Sequence, residues 1–324
     1  MNDSITDVNG LLVGHAQNRE AGTGCTVLIV EKGAVAGVDV RGGAPGTRET
    51  DLLDPVNMVQ KIHGIYLSGG SAFGLEGASG VMNFLEERGI GFEAGPVKVP
   101  IVTGAVIFDL NIGNPSIRPD YQMGYQACLN ASNNRVAEGS IGAGTGATVG
   151  KYYGISNCMK GGIGSASIVS GNLVVGALAV VNSFGDIVNP ETGKIIAGTL
   201  DDKKEQFVDT NRLLTDNILP RGNPFIQNTT LGVIATNARL SKAEAKRLSM
   251  SAHDGFARCI SPSHTIYDGD TIFSLATGEV EANFNQLNAL VAQVMAISVQ
   301  RAILKASSLH GIISYSDLRK ESKI

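Results

Sequence analysis

The sequence predicts an α+β chain in which two sheets are sandwiched between helical layers, and three features carry that expectation. Apolar, β-branched runs come in pairs separated by short turns, as at 26–40 and 163–181, which is the mark of antiparallel hairpins. Capped helical stretches lie outside these runs, the clearest opening at Ser241 and Asn283. Glycine accounts for 41 of 324 residues, nearly twice its usual share of about 7%. Mixed with apolar residues and only 10 prolines, it points to close backbone packing and tight turns, not to disorder.

Taken in order, residues 26–30 and 34–40 read as strands around a turn at Lys32-Gly33, a hairpin. The following loop, 41–50, holds Arg41 and Arg48, which suit a carboxylate, although an ordered surface loop explains the stretch equally well. A short strand at 65–67 leads into Ser68-Gly69-Gly70-Ser71 and a helical stretch to Arg88, with Gly89 just past its end. That order also frames phosphate-binding loops, but no Lys-Ser/Thr pair follows. Residues 98–110 read as extended and 120–130 as a short helix. The glycine-rich run 139–151 is not a P-loop, since Thr145 stands where the glycine is needed and Tyr152 where the Ser or Thr is needed.

The clearest hairpin joins 163–169 to 173–181 across Gly171-Asn172 and ends at Asn182. Residues 186–227 are polar, with the charged run Asp201-Asp202-Lys203-Lys204-Glu205, and predict a solvated, partly disordered loop. A strand follows at 231–236. Ser241 and Glu244 form a capping box for a helix that buries Leu248, Ala252 and Phe256 on one face and ends at Ser261-Pro262. A strand at 271–276 and a last helix opened by Asn283 and Gln286 complete the chain.

A formal charge of -4 and a pI near 5.8 leave no basic field for nucleic acid or an anionic membrane. The acidic start lacks the layout of a signal peptide, and apolar runs such as 173–181 are too short to span a bilayer, so the expected location is cytoplasmic. Cys25, Cys128, Cys158 and Cys259 are scattered, indicating neither a zinc site nor a disulfide framework.

For chemistry, Thr229 stands out where loop residues 219–224 give way to a strand, a rigid place to hold a nucleophile, although composition alone fits any loop-to-strand junction. A rival set pairs His253 and His264 with Asp254 and Asp268 for Ser71 or Ser251. No G-x-S-x-G frames either serine, and no two histidines have metal-ligand spacing.

The stretch 227–236, together with Leu67-Ser68-Gly69-Gly70-Ser71-Ala72-Phe73-Gly74-Leu75 and His253-Asp254-Gly255 through Asp268-Gly269-Asp270-Thr271, resembles the P1 peptidase family. That family includes the self-processing D-aminopeptidase of the DmpA type, the β-peptidyl aminopeptidases and the nylon-oligomer hydrolases, and the resemblance covers nearly the whole chain. It implies a single domain, 1–324, folded as a four-layer αββα sandwich with N-terminal-nucleophile-hydrolase-like layering and DmpA-type connectivity. It also implies self-cleavage between Asn228 and Thr229, giving a large subunit 1–228 and a small subunit 229–324 headed by the nucleophile. By position, Asp268 would tune Thr229 with Asp270 behind it, Asn182 would donate to the oxyanion, and Lys151 would polarise or place the scissile group. Phe108, where some relatives carry tyrosine, and the turn Gly69-Gly70-Ser71 would meet substrate.

The activity so implied is amide hydrolysis without metal or cofactor. Its expected form is an aminopeptidase on small peptides or amino acid amides, in a homotetramer of processed heterodimers. Alternatives are an endo-acting 6-aminohexanoate (nylon) oligomer hydrolase, acyl transfer of the ornithine acetyltransferase kind, and a glycine-rich ligand-binding protein that never cleaves.

Overall fold

The computed structural model describes residues 1–221 and 228–321, and one long strand sets its framework. Where Lys32-Gly33 predicts a turn, the chain runs on as a single 18-residue strand, β2 (Thr23–Val40), which follows β1 (Leu12–Asn18). Gly33 takes φ +69°, a left-handed value that glycine adopts freely. It uses that freedom for a register shift against β3 (Lys61–Ser68), between Ile29 and Ala34, and not for a reversal. The hairpin turn lies upstream, so that β1 pairs antiparallel with the first half of β2.

The later strands are β4 (Val102–Val106), β5 (Gly162–Ser170), β6 (Leu173–Val181), β7 (Asp186–Val188), β8 (Ile195–Ala197), β9 (Leu231–Ala238) and β10 (Thr271–Val280). The short helices are α1 (Gly77–Glu86), α2 (Tyr121–Leu129), α3 (Thr210–Thr215) and, at the end of the described chain, α6 (Tyr315–Glu321); α4 (Lys242–Cys259) and α5 (Phe284–Leu304) are longer. Among the described residues the main sheet has nine strands, in the order β5-β6-β9-β10-β2-β3-β4, with Thr47–Arg48 at the edge and β1 also on β2. β9 and β10 run parallel, as do β3 and β4, within an otherwise antiparallel sheet.

The two halves of β2 belong to two packed layers. Its second half pairs with β10 and its first with β1 and β3. Leu178, Val233 and Phe273 from one layer meet Leu28, Leu67 and Ala105 from the other in a buried core. Outside, α4 and α5 cover β6, β9 and β10 in a second core, while α1 and α2 cover β1, β2 and β3 in a third. The sequence of layers is helix, sheet, sheet, helix, the expected αββα sandwich, with β2 crossing from one sheet to the other.

Local signals hold well at helix ends. Asp120 caps α2 at the Met123 N–H, Ser241 and Glu244 form the capping box of α4, and Asn283 caps α5. The polar stretch after 186 is a correction. Its described part folds as β7, β8 and α3, because the buried Asp186 carboxylate accepts from Thr199 N, Thr210 N and Thr210 Oγ1 and ties the three together. Residues 222–227 of that stretch, and with them part of the expected loop ahead of Thr229, lie outside the described residues. The helix opened by Asn283 is not the last, since α6 follows it.

With 21 residues, α5 is long and apolar enough to cross a bilayer by length and composition, more so than the runs noted in the sequence. Its apolar residues instead bury against α4, β5 and β6. All four cysteines are buried and free.

The approach of α4 to β2 depends on Gly37, where a Cβ would lie 2.3 Å from Lys246 N and 2.5 Å from the Ala245 carbonyl carbon. Gly37→Ala is expected to destabilise the fold by about 1–3 kcal/mol, the usual cost of overpacking a close contact. The urea midpoint measures it, and an unchanged midpoint would show that the helix is free to ride away from the strand.

Candidate active site

Residues 228–230 enter the centre of the sheet just before β9, and their backbone is gripped from two sides. The Asn228 N–H donates to Tyr267 O at 2.9 Å, and the Asn228 carbonyl accepts from the Gly269 N–H at 2.8 Å. The Thr229 N–H donates to Asn182 O, at the end of β6, at 2.9 Å. The Thr230 N–H donates to Asp270 Oδ1 at 2.7 Å. One peptide bond, 228–229, is therefore fixed by the loop before β10 on one side and by the end of the β5–β6 hairpin on the other. The Thr229 hydroxyl donates to the Asn228 carbonyl oxygen, which puts Oγ1 beside the carbonyl of the peptide bond that precedes it.

Thr229 is only 4% exposed and lies against a cavity of about 230 Å³ whose walls include Pro45, Ser71, Ile107 and Phe108. Two glycines make the closeness possible. A Cβ on Gly269 would sit 2.6 Å from Thr229 Oγ1, and one on Gly42 would sit 2.2 Å from Asp268 O. The loop after β2 thus rests directly on the loop before β10, joined by Ala44 N–H to Asp268 O at 2.8 Å.

Around this peptide the polar side chains are almost all buried. Asn182 is a hub: its Oδ1 accepts from Lys151 Nζ at 2.9 Å and from Thr148 N at 3.0 Å, and its Nδ2 donates to Phe108 O at 3.1 Å. Burial holds the Lys151 ammonium down to about 8, opposed by the charges of Cys158, Asp268 and Asp109. Burial, and next the neighbouring Asp270 charge, push Asp268 up to about 7, opposed by the Thr265 hydroxyl, the Phe184 N–H and Lys151. A carboxyl and an amine so placed both change protonation near neutrality, which is what proton transfer at pH 7 requires.

Asp268 spends its oxygens on Phe184 N–H at 3.2 Å, Thr265 N–H at 3.1 Å and the Thr265 hydroxyl, so here it braces the loop and makes no hydrogen bond to Thr229. Asp270 takes Thr230 N–H on one oxygen and His264 Nδ1, at 2.8 Å, on the other.

The structure therefore gathers Asn228, Thr229, Asn182, Lys151, Asp268, Asp270, Phe108 and Ser71 in one place. Gly69 and Gly70 stand one layer back. The Gly70 N–H donates to the buried Asp109 at 2.7 Å, and a Cβ on Gly69 would collide with the same carboxylate, so the two glycines hold the wall and do not line it. The rival histidine set is not assembled: His264 bonds Asp270, His253 Nε2 donates to Asp39 O, and the Ser251 hydroxyl bonds its own helix. Arg41 pairs with Asp39 and Arg48 lies against Met82.

Sequence reasoning missed Gly269, Gly42 and Asp109, as well as Lys160, a fully buried lysine that burial lowers to about 7 and that donates to Thr145 O and Ala147 O of the glycine-rich run. The central glycine of Asp268-Gly269-Asp270 was the one available signal. A larger cavity, about 420 Å³ between β8 and α6, contains none of these groups. Among the described residues no three His, Cys, Asp or Glu side chains gather to hold a metal ion.

Known proteins match at the level of the whole chain. The sequence profile of peptidase family S58 matches residues 3–314. An uncharacterized aminopeptidase of Mycobacterium tuberculosis is 42% identical, covering 98% of this chain and 98% of that protein. A 6-aminohexanoate-oligomer endohydrolase of Paenarthrobacter ureafaciens is 31% identical, covering 85% of this chain and 75% of that protein. The L-aminopeptidase D-Ala-esterase/amidase of Ochrobactrum anthropi, solved as a variant of the Ntn-hydrolase fold, superposes with a TM-score of 0.74 at 18% identity, over 98% of this chain and 93% of that one. A Burkholderia sp. β-aminopeptidase superposes with a TM-score of 0.70 at 21% identity, over 100% and 95%.

Folding raises Asp268 to about 7 and Asp109 and Asp186 to about 6, each chiefly by burial, from an ordinary 3.8. Groups raised in this way stabilise the fold fully below the unfolded value and lose that contribution as pH rises through the folded one. The contribution of these three carboxyls is therefore expected to fall between about pH 4 and pH 7, opposed by His15 and His253, which burial lowers to about 4 and whose contribution rises with pH up to the ordinary histidine value. In a Thr229→Ala background, Asp268→Asn should flatten the upper part of that fall. Urea midpoints at pH 5, 6, 7 and 8 measure it; identical slopes with and without the substitution would show that Asp268 is not held protonated.

Proposed function

The chain belongs to peptidase family S58, and from that membership we propose that it is a self-processing amide hydrolase whose nucleophile is Thr229. The observation that carries this reading is the Thr229 hydroxyl held against the Asn228 carbonyl while the Gly269 N–H engages the same oxygen. Attack of Oγ1 on that carbonyl moves the acyl group from nitrogen to oxygen, with Gly269 N–H stabilising the negative charge that develops. Water then opens the ester. Residues 1–228 end at Asn228, and residues 229–324 begin with a free threonine.

Cleavage supplies the base that turnover needs. An α-amine with a pKa of about 8 accepts the hydroxyl proton near neutrality far better than an ordinary lysine at about 10.4. In this reading Asn182 turns Nδ2 from Phe108 O to the substrate oxyanion while Lys151 holds its Oδ1, a role supported by the bonds both now make. Homotetrameric assembly and a cytoplasmic location belong to the same proposal, on the family resemblance.

The substrates we propose are small peptides or amino acid amides, which suit a cavity of about 230 Å³, room for one residue-sized acyl group. One observation favours a second reading. Among the described residues the cavity lining carries no charged side chain, which suits the uncharged methylene chain of a 6-aminohexanoate oligomer better than a free ammonium.

Purified protein is expected to separate into fragments 1–228 and 229–324 on denaturation, the second with threonine at its amino terminus, whereas Thr229→Ala stays whole and inactive. Intact mass and amino-terminal sequencing decide the matter; a single chain with full amidase activity would falsify the mechanism.

Free-amine substrates are expected to be cut faster than their amino-acetylated copies. A site that pairs a substrate ammonium rejects an analogue that leaves the site unpaired. The comparison is kcat/KM for D-, L- and β-amino acid amides and a 6-aminohexanoate oligomer, each free and acetylated. Equal values within each pair reject the aminopeptidase reading in favour of the oligomer hydrolase and leave Thr229 in its role.

A further inference from the structure

Between His264 and Asp270 lies the loop whose Tyr267 carbonyl and Gly269 N–H grip Asn228. The two ends of that loop are clasped together. Asp270 Oδ2 accepts from both the His264 backbone N–H, at 3.1 Å, and its ring Nδ1, at 2.8 Å. The other oxygen of the same carboxylate accepts the Thr230 N–H. Asp270 is 1% exposed, and among the described residues His264 is the cation-capable side chain within ion-pair distance of it. A buried carboxylate stripped of a donor is costly and turns to find another.

The ring of His264 is itself locked. It packs edge-on against His253 with centroids 4.8 Å apart and tilts toward Phe256 at 6.4 Å, both on α4. His253 in turn donates from Nε2 to Asp39 O of β2 at 3.1 Å, and Asp39 is paired with Arg41. Burial lowers His253 to about 4, so it meets His264 as a neutral ring. Neither His264 Nε2 nor His253 Nδ1 has a hydrogen-bond partner among the described residues. Asp270 on one side and ring packing on the other are what fix His264. Its backbone is held at φ +55°, in the left-handed region where asparagine, aspartate and histidine are several-fold enriched among non-glycine residues.

We propose that His264 is a positioning residue: by closing the 264–270 loop on Asp270 it fixes both the carbonyl to be attacked and the backbone that presents Thr229. This rests on Thr229 being the nucleophile. His264 touches neither the hydroxyl nor the scissile carbonyl, so its loss should be felt in rates and not in substrate binding.

The test compares His264→Leu, which removes the ring donor, with His264→Asn, whose side-chain amide can donate from nearly the same place and whose backbone tolerates the left-handed region. For His264→Leu, appearance of the fragment beginning at Thr229 and kcat on an amino acid amide should both fall about 100-fold, the scale of a small misplacement of reacting groups. KM should stay within about threefold, as for an interaction not made with the ground-state substrate. His264→Asn should recover at least about a tenth of the wild-type rates, on the same scale of misplacement.

A folded leucine variant within fivefold of wild type by both readouts, or an asparagine variant no better than leucine, overturns the proposal. If the leucine variant does not fold, His264→Ala is assayed with and without imidazole. Slow rates raised several-fold by imidazole support the clasp, while rates that imidazole leaves unmoved overturn it. A wild-type chain that stays whole sinks the processing reading alone, and the kcat series still decides the role of His264.

Discussion

The structure is organised around the immobilisation of one peptide bond. Between Asn228 and Thr230 four backbone groups are taken up by Tyr267, Gly269, Asn182 and Asp270, and each of those partners sits where a strand of the central sheet begins or ends. A hydroxyl on a flexible loop would sample many positions, whereas one whose neighbours are all bonded is confined to a narrow set, and confinement of this kind accounts for a large share of rate enhancement in intramolecular reactions. The parallel pairing of β9 with β10 is what makes the arrangement possible. It brings the starts of both strands to the same end of the sheet, so residues 228–230 and 268–270 lie side by side.

Beneath that peptide the chain tolerates an unusual density of buried polarity. Lys151, Lys160, Asp109, Asp268 and Asp270 are all at most 3% exposed. Removing such groups from water costs several kcal/mol each before pairing compensates, and here the compensation comes mostly from backbone carbonyls and N–H groups. Lys160 holds Thr145 O and Ala147 O, and Asp109 holds Gly70 N and the Thr23 hydroxyl. These bonds fasten the irregular glycine segments that surround the cavity, segments too poor in side chains to be fixed by apolar packing.

The elements legible in the sequence were those written in local chemistry. Asp120, Ser241 and Asn283 announce helices because a cap is a one-turn interaction, and Gly171-Asn172 announces a hairpin for a similar reason. Gly33 misled because a left-handed glycine serves a bulge as readily as a turn, and only the pairing of β2 with three other strands decides between them. The 186–221 stretch reads as disordered from its charges, yet it is ordered by Asp186, a single buried carboxylate with partners 13 and 24 residues away. Thr229, Asp268 and Asn182 were assigned through resemblance to a family, and the structure brings them together. Gly269 and Asp109 were not, since their roles come from what stands across the fold from them, which no spacing along the chain records.

The strand order has a consequence for the order of events in the life of the chain. β9 and β10 lie side by side in the sheet, flanked by β6 on one edge and β2 on the other. Both flanking strands precede residue 228, and both enclosed strands follow it. A scission at 228–229 would thus yield two polypeptides that are interleaved, with two strands of the shorter inserted in the middle of a sheet built by the longer. Such pieces cannot drift apart without tearing open both edges of the insertion, and, once apart, they would have to find each other with a gap two strands wide already formed. For a chain cut there, folding would have to come first while the covalent link still enforced register, and the assembled state would then persist through the height of its unfolding barrier more than through a reversible equilibrium. The link would then act as an assembly jig, needed once and afterwards dispensable.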